Sequence, residues 1–152
     1  MKDMSALKPG SLFLLRVGTG LLLMLWGGLR LMKPAAGPGL AEKYYSGFMG
    51  MQTIQIAFGA AEVLVGLLVV LGLFRRAAYS LQALVLVLGA TVLWRYLRDP
   101  MGLYLLDRET SQILFFPSIT VAAASLVLLA FRDADCWSLD VLLSRRRDAL
   151  TR

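Results

Sequence analysis

Four apolar stretches, Ser11 to Met32, Met51 to Leu73, Ala77 to Leu97 and Ser111 to Phe131, leave this chain little freedom in what it folds into. Each is close to the ~20 residues that a helix needs to cross a bilayer. Inside hydrocarbon every backbone N–H and C=O must be satisfied within its own segment or a closed barrel, so runs of this length are read as helices. With 58% hydrophobic and 17% charged residues, little sequence remains for a separate water-soluble core. The expectation is an all-α fold in one membrane domain over 1–152. It is a polytopic four-helix bundle with an interfacial segment after the first helix and a short C-terminal amphipathic tail.

The two later stretches are uninterrupted, because Ala77 to Trp94 and Thr110 to Phe131 carry no charge. The two earlier ones are interrupted by charge, the first by Arg16, with Arg30 near its outer end, and the second by Glu62. Charges at membrane depth are expensive and face a protein interior or water, which makes Arg16 and Glu62 candidate site residues. Arg16, Gly20, Leu23 and Gly27 fall on one face by helical spacing, as do Gln55, Gly59, Glu62 and Gly66. The glycines on each face permit close approach of a second helix. Two readings of Arg16 stand side by side: a partner for Glu62, or an arginine that snorkels to the nearby interface. Gln82 in the third helix adds an amide, while Pro117, Ser118, Thr120 and Ser125 in the fourth predict a tolerated kink and small-residue packing.

Between the first two helices, Lys33 to Gly50 is too polar and too punctuated by Pro and Gly to span, yet holds Leu40, Tyr44, Tyr45 and Phe48. It is expected to lie along the membrane surface, with Trp26, Trp94, Tyr96 and Tyr104 gathered at the same interface. Lys33 and Arg95 would stand at that outer end. The opening, with Lys2 and Lys8 before the first apolar run, is expected to be a retained helix rather than a signal peptide, since the run contains Arg16. Sorting the basic residues by side favours both termini in the cytoplasm of a bacterial inner membrane. The tail after Phe131 mixes Trp137, Leu139, Leu142 and Leu143 with Arg145 to Arg147, as a surface helix near anionic headgroups does.

The chain contains no histidine, which excludes imidazole ligation of haem, typical zinc and copper sites, and Ser-His or Cys-His catalysis. Its single cysteine, Cys136, cannot form an intramolecular dithiol. Seven methionines carry little weight for a soft metal, and the glycines form no phosphate-binding pattern. No metal, nucleic acid or intrinsic cofactor is expected. What remains for chemistry is Glu62 and Arg16, supported by Gln55, Gln82 and Lys33. Such a carboxylate either fixes helices in register as an ion pair or relays a proton to a bound quinol or carbonyl compound.

Three stretches together resemble the DoxX family of small bacterial four-helix membrane proteins. They are LLRVGTGLLLMLWGGLRLMK, with Arg16 and the Gly27 to Lys33 approach; FGAAEVLVGLLVVLGLFRRAA, with Glu62, Gly66, Gly72 and Arg75; and the terminal WSLD, Trp137 to Asp140. Where the family usually has a glycine-rich turn before that last motif, this chain reads DAD, Asp133 to Asp135. The resemblance implies a left-handed four-helix bundle, sometimes a membrane subunit of quinone-linked sulfur oxidation or of a redox-defence complex. The expected function is therefore an accessory membrane subunit of a redox-linked complex, holding a quinone or another small lipophile beside Glu62 and Arg16. The alternative is a structural or assembly subunit of a larger membrane complex with no chemistry of its own.

Overall fold

The computed structural model describes residues 4–33, 38, 42, 51–106 and 115–150. Among the described residues six α-helices are formed: α1 Met4–Met32, α2 Gln52–Leu71, α3 Arg75–Val92, α4 Trp94–Arg98, α5 Pro117–Ala130 and α6 Leu139–Leu150. A 3₁₀ turn, Arg132–Ala134, follows α5. Among the described residues there is no strand. Two helical segments among the described residues are long and apolar enough to cross a membrane, Leu7–Met32 within α1 and Gln52–Leu71, which is α2.

Contacts run from α1 to α2, α2 to α3, α3 to α5 and α5 back to α1, closing a ring. The α1–α2 seam is the most extensive, and its cause is the glycines. A Cβ added at Gly27 would stand 2.5 Å from the Gly59 carbonyl oxygen, and one at Gly66 would stand 2.7 Å from that of Gly20. The two crossings are seven residues apart on each helix. Where there is no side chain, the antiparallel backbones approach closely enough for dispersion and Cα–H···O contacts.

Polarity is distributed inside out. Arg16, Gln55, Glu62, Gln82, Ser125 and Asp135 are buried, while Leu14, Leu25, Leu64, Leu84, Leu88 and Leu126 stand at least half exposed on the outer surface of four helices. The buried apolar core is small, built on Val69, Ala78, Tyr79 and Leu128.

Four boundaries differ from the spacing-based expectation. α1 begins at Met4 rather than Ser11, with Pro9 inside it. Hydropathy marks the apolar part of a helix, not its end, and the amphipathic extension packs Lys8 over the Phe131 ring at 5.9 Å. α2 stops at Gly72, whose φ of 67° and N–H bond to the Val69 carbonyl form a left-handed C-terminal cap. The single helix expected over 77–97 is two, broken at buried Leu93, where φ −84° and ψ 12° leave the helical region. Pro117 opens α5 at its first position instead of kinking a longer helix, a place where its missing N–H costs nothing. Residues 111–114 of that expected helix, and the interfacial segment apart from Lys33, Pro38 and Glu42, lie outside the described residues.

Candidate functional site

The expected pairing of Arg16 with Glu62 is not formed. From 16 to 30 along α1 is ~21 Å at ~1.5 Å per residue, and the two ionisable groups bind different partners at different levels of the bundle.

Glu62 sits where Gly27 and Gly59 bring α1 and α2 together, and its partner is Arg30. The Arg30 Nε–H donates to Glu62 Oε2 at 2.9 Å, and Nη1 donates to the Gln55 side-chain oxygen. The guanidinium also lies over the Phe58 ring, 5.2 Å from its centroid. Glu62 is 4% exposed and Arg30 22%, so the carboxylate is enclosed and the cation reaches toward the surface. Charge-assisted bonds of this kind are about twice as strong as neutral ones, and a close pair offsets the cost of burying the carboxylate. Lys33 is exposed at the end of α1, where its backbone N–H bonds the Leu29 carbonyl. Arg95 is exposed on α4.

Arg16 is almost fully buried at the other end of the bundle, which excludes snorkelling. Its Nη1 donates to both carboxylate oxygens of Asp135, at 3.0 and 2.9 Å, and its Nη2 donates to the Trp137 carbonyl at 2.8 Å. The Tyr79 hydroxyl donates to Asp135 Oδ2 at 2.6 Å. Arg75 donates from Nη1 to the carbonyls of Arg132 and Asp135, both at 2.8 Å. Asp140 completes the end by accepting the backbone N–H groups of Phe74 and Arg75 at 3.1 and 2.9 Å. A carboxylate on the first N–H groups of a helix satisfies orphan donors and complements the dipole, so Asp140 caps α3 from a distant part of the chain. It also holds Phe74 at φ 49°, an uncommon value for a residue with a side chain.

No protein-family model, curated protein or solved structure matches the chain. The site is therefore read from its geometry.

Gln55 joins Glu62, as its spacing predicts, while Gln82 belongs to neither network. Gln82 is fully buried in α3 with no hydrogen bond at either amide atom. Arg30 and Asp135 were missed by sequence reasoning. Arg30 had a signal, since it continues the stripe 16, 20, 23, 27 by a further three residues. Asp135 had none beyond the departure of DAD from a glycine-rich turn, because no local periodicity links it to a residue 119 positions away. Among the described residues no group of three metal-ligating side chains gathers.

The third polar cluster is local. Asp99, buried after α4, accepts the backbone N–H groups of Leu103, Tyr104, Leu105 and Leu106 at 2.7 to 3.1 Å. Burial alone would push its pKa up, but the four N–H donors outweigh it and hold the carboxyl well below the usual range. It folds the turn after α4 around a fixed negative charge.

Proposed function

We propose that this chain is a polytopic, DoxX-like integral membrane subunit of a redox-linked complex, with the Glu62, Arg30 and Gln55 group as its ligand-facing site. The inside-out polarity supports the membrane reading: leucines on the outer faces suit lipid, and the polar side chains they would exclude are gathered inside. In this reading α3 with α4, and α5 with the residues before it, supply the third and fourth spans.

One observation carries the site. A carboxylate in the middle of an apolar helix is bonded to an arginine that keeps part of its surface toward the outside. Arg30 can donate to a carbonyl of a quinone or similar small lipophile, and Glu62 can accept or return the proton that such a ligand exchanges on reduction. In this reading the electrons come from a partner protein. The resemblance to the DoxX family supports that setting.

A second reading is favoured by the same ion pairs. Arg16 with Asp135 and Glu62 with Arg30 are satisfied within the chain, as in a subunit whose charges serve assembly alone. Glu62→Gln in the native membrane separates the two. The ligand-facing role requires quinone-linked turnover per assembled complex to fall at least tenfold with abundance unchanged. Reduced abundance with normal turnover per complex supports the assembly role instead.

A further inference from the structure

Gln82 lies one turn beyond Tyr79 on α3 and is fully enclosed, yet neither its Oε1 nor its Nε2 meets a protein partner. A primary amide stripped of water on both its donor and acceptor sides is among the most costly groups a helix bundle can enclose. The other buried side-chain atoms without a hydrogen bond among the described residues are the Nε atoms of Arg16 and Arg75, whose guanidinium groups are bonded elsewhere. At Gln82 the whole polar group is unpaired.

Its depth can be fixed from the core. Val69, Ala78, Tyr79 and Leu128 pack together and set a common level. Three residues along α3 lead to Gln82, and three back along α5 lead to Ser125, each ~4.5 Å inward. Seven residues back along α2 lead to Glu62, ~10.5 Å inward. Gln82 and Ser125 therefore lie level with each other, between the Tyr79–Asp135 pair and Glu62. Ser125 is buried and donates its hydroxyl to the Ala122 carbonyl at 2.7 Å, which leaves its lone pairs able to accept.

We propose that Gln82 and Ser125 form an internal water site that joins the Asp135–Tyr79 network to Glu62 by hydrogen bonds. Water fits the chemistry, because each molecule donates and accepts and a buried one typically makes about three hydrogen bonds. α3 and α5 pack against each other, and the small residues Ala83, next to Gln82, and Ala122, one turn before Ser125, are buried on them. The remaining axial gap of ~6 Å to Glu62 is within reach of the two side chains and about one or two waters. The amide positions the waters and keeps its own protonation. The value of the path as a proton route rests on the reading of Glu62 given above; the water site does not.

The test is solid-state NMR of the full chain in lipid bilayers with ¹⁵N-labelled glutamine, following polarisation transfer from water to side-chain amides. The Gln82 signal, assigned by its loss in Gln82→Leu, is expected to receive transfer from water, and Gln82→Leu is expected to leave the thermal midpoint unchanged or lowered. An amide with no water transfer overturns the site, as does transfer displaced by added short-chain quinone, which would make the occupant a lipophile. A dry, unpaired amide would also reveal itself by a higher midpoint in Gln82→Leu. Persistence of the water signal alongside unaltered turnover in Glu62→Gln would sink the functional reading and leave the water site standing.

Discussion

Removing Arg30 while keeping Glu62 leaves a carboxylate enclosed without its cation, the costly half of breaking a buried pair. Arg30→Met is expected to destabilise the protein by about 3–5 kcal/mol, and the combined Arg30→Met and Glu62→Leu change to recover most of that loss. Reversible unfolding in mixed micelles measures both, and additive losses in the double variant would show that the pair is not coupled. Asp99 gives a pH prediction of definite sign. Its carboxyl is held below its ordinary value of 3.8, so its contribution is fully present above that value and is lost as pH falls through the lower folded one. The amide resonances of Leu103 to Leu106 are therefore expected to stay in place from neutral pH down to about 4, the ordinary carboxylate midpoint. Asp99→Asn should speed hydrogen exchange at those four amides, and unchanged exchange would show that the carboxylate does not hold the turn.

The two glycine-bearing faces were legible in spacing alone, because close approach of helices depends on what repeats at seven residues and not on any remote contact. Their meeting gives a graded test. Gly27→Ala and Gly59→Ala force a Cβ to within 2.5 and 2.8 Å of the opposing helix, so each is expected to cost roughly 1–3 kcal/mol. Gly28→Ala, one position round the same helix with nothing within 4 Å, should be neutral or gain roughly 0.5–1 kcal/mol from helix propensity. Equal effects at Gly27 and Gly28 would mean that the seam is not there. Legibility stopped at contacts across the chain. Spacing placed Arg16 on the glycine-bearing face but left pairing with Glu62 and snorkelling both open, and it could not supply the actual partner, since Asp135 lies in a short turn whose position depends on how α5 returns to α1. Asp140 was likewise visible only as part of a terminal WSLD. The structure makes it the cap of α3, so Asp140→Ala is expected to lower stability by about 1 kcal/mol and to raise hydrogen exchange in the first turn after Phe74.

At the scale of the whole molecule the charged networks define two ends. Arg16, Gly72, Asp135 and Asp140 share one, and Arg30 with Gln55 marks the other. A four-span arrangement follows only if the short helices complete their spans. α3 has 18 residues and α5 14, or ~27 and ~21 Å of rise, so residues beyond them are needed to reach the ~30 Å of a hydrocarbon core. The break at Leu93 fits this arrangement, because α4 continues toward the same end and its Tyr96 ring meets Phe115 edge-on at 5.1 Å, tying it to the entrance of α5. Under the proposed membrane reading, Lys8, Arg75, Arg76, Arg132 and Arg145 to Arg147, on the segments that lead to or from the Asp135 end, would face the cytoplasm by the positive-inside tendency. In a background where Cys136→Ala removes the native thiol, exposed positions at the two ends can be labelled separately. A membrane-impermeant maleimide is expected to react with Arg147→Cys only in inverted vesicles and with Met101→Cys only in intact cells. Labelling of both from one side would place the two ends on the same face of the membrane and reduce the number of spans. The charge segregation would then describe a bundle lying along the bilayer, with its leucine surface buried on one side only.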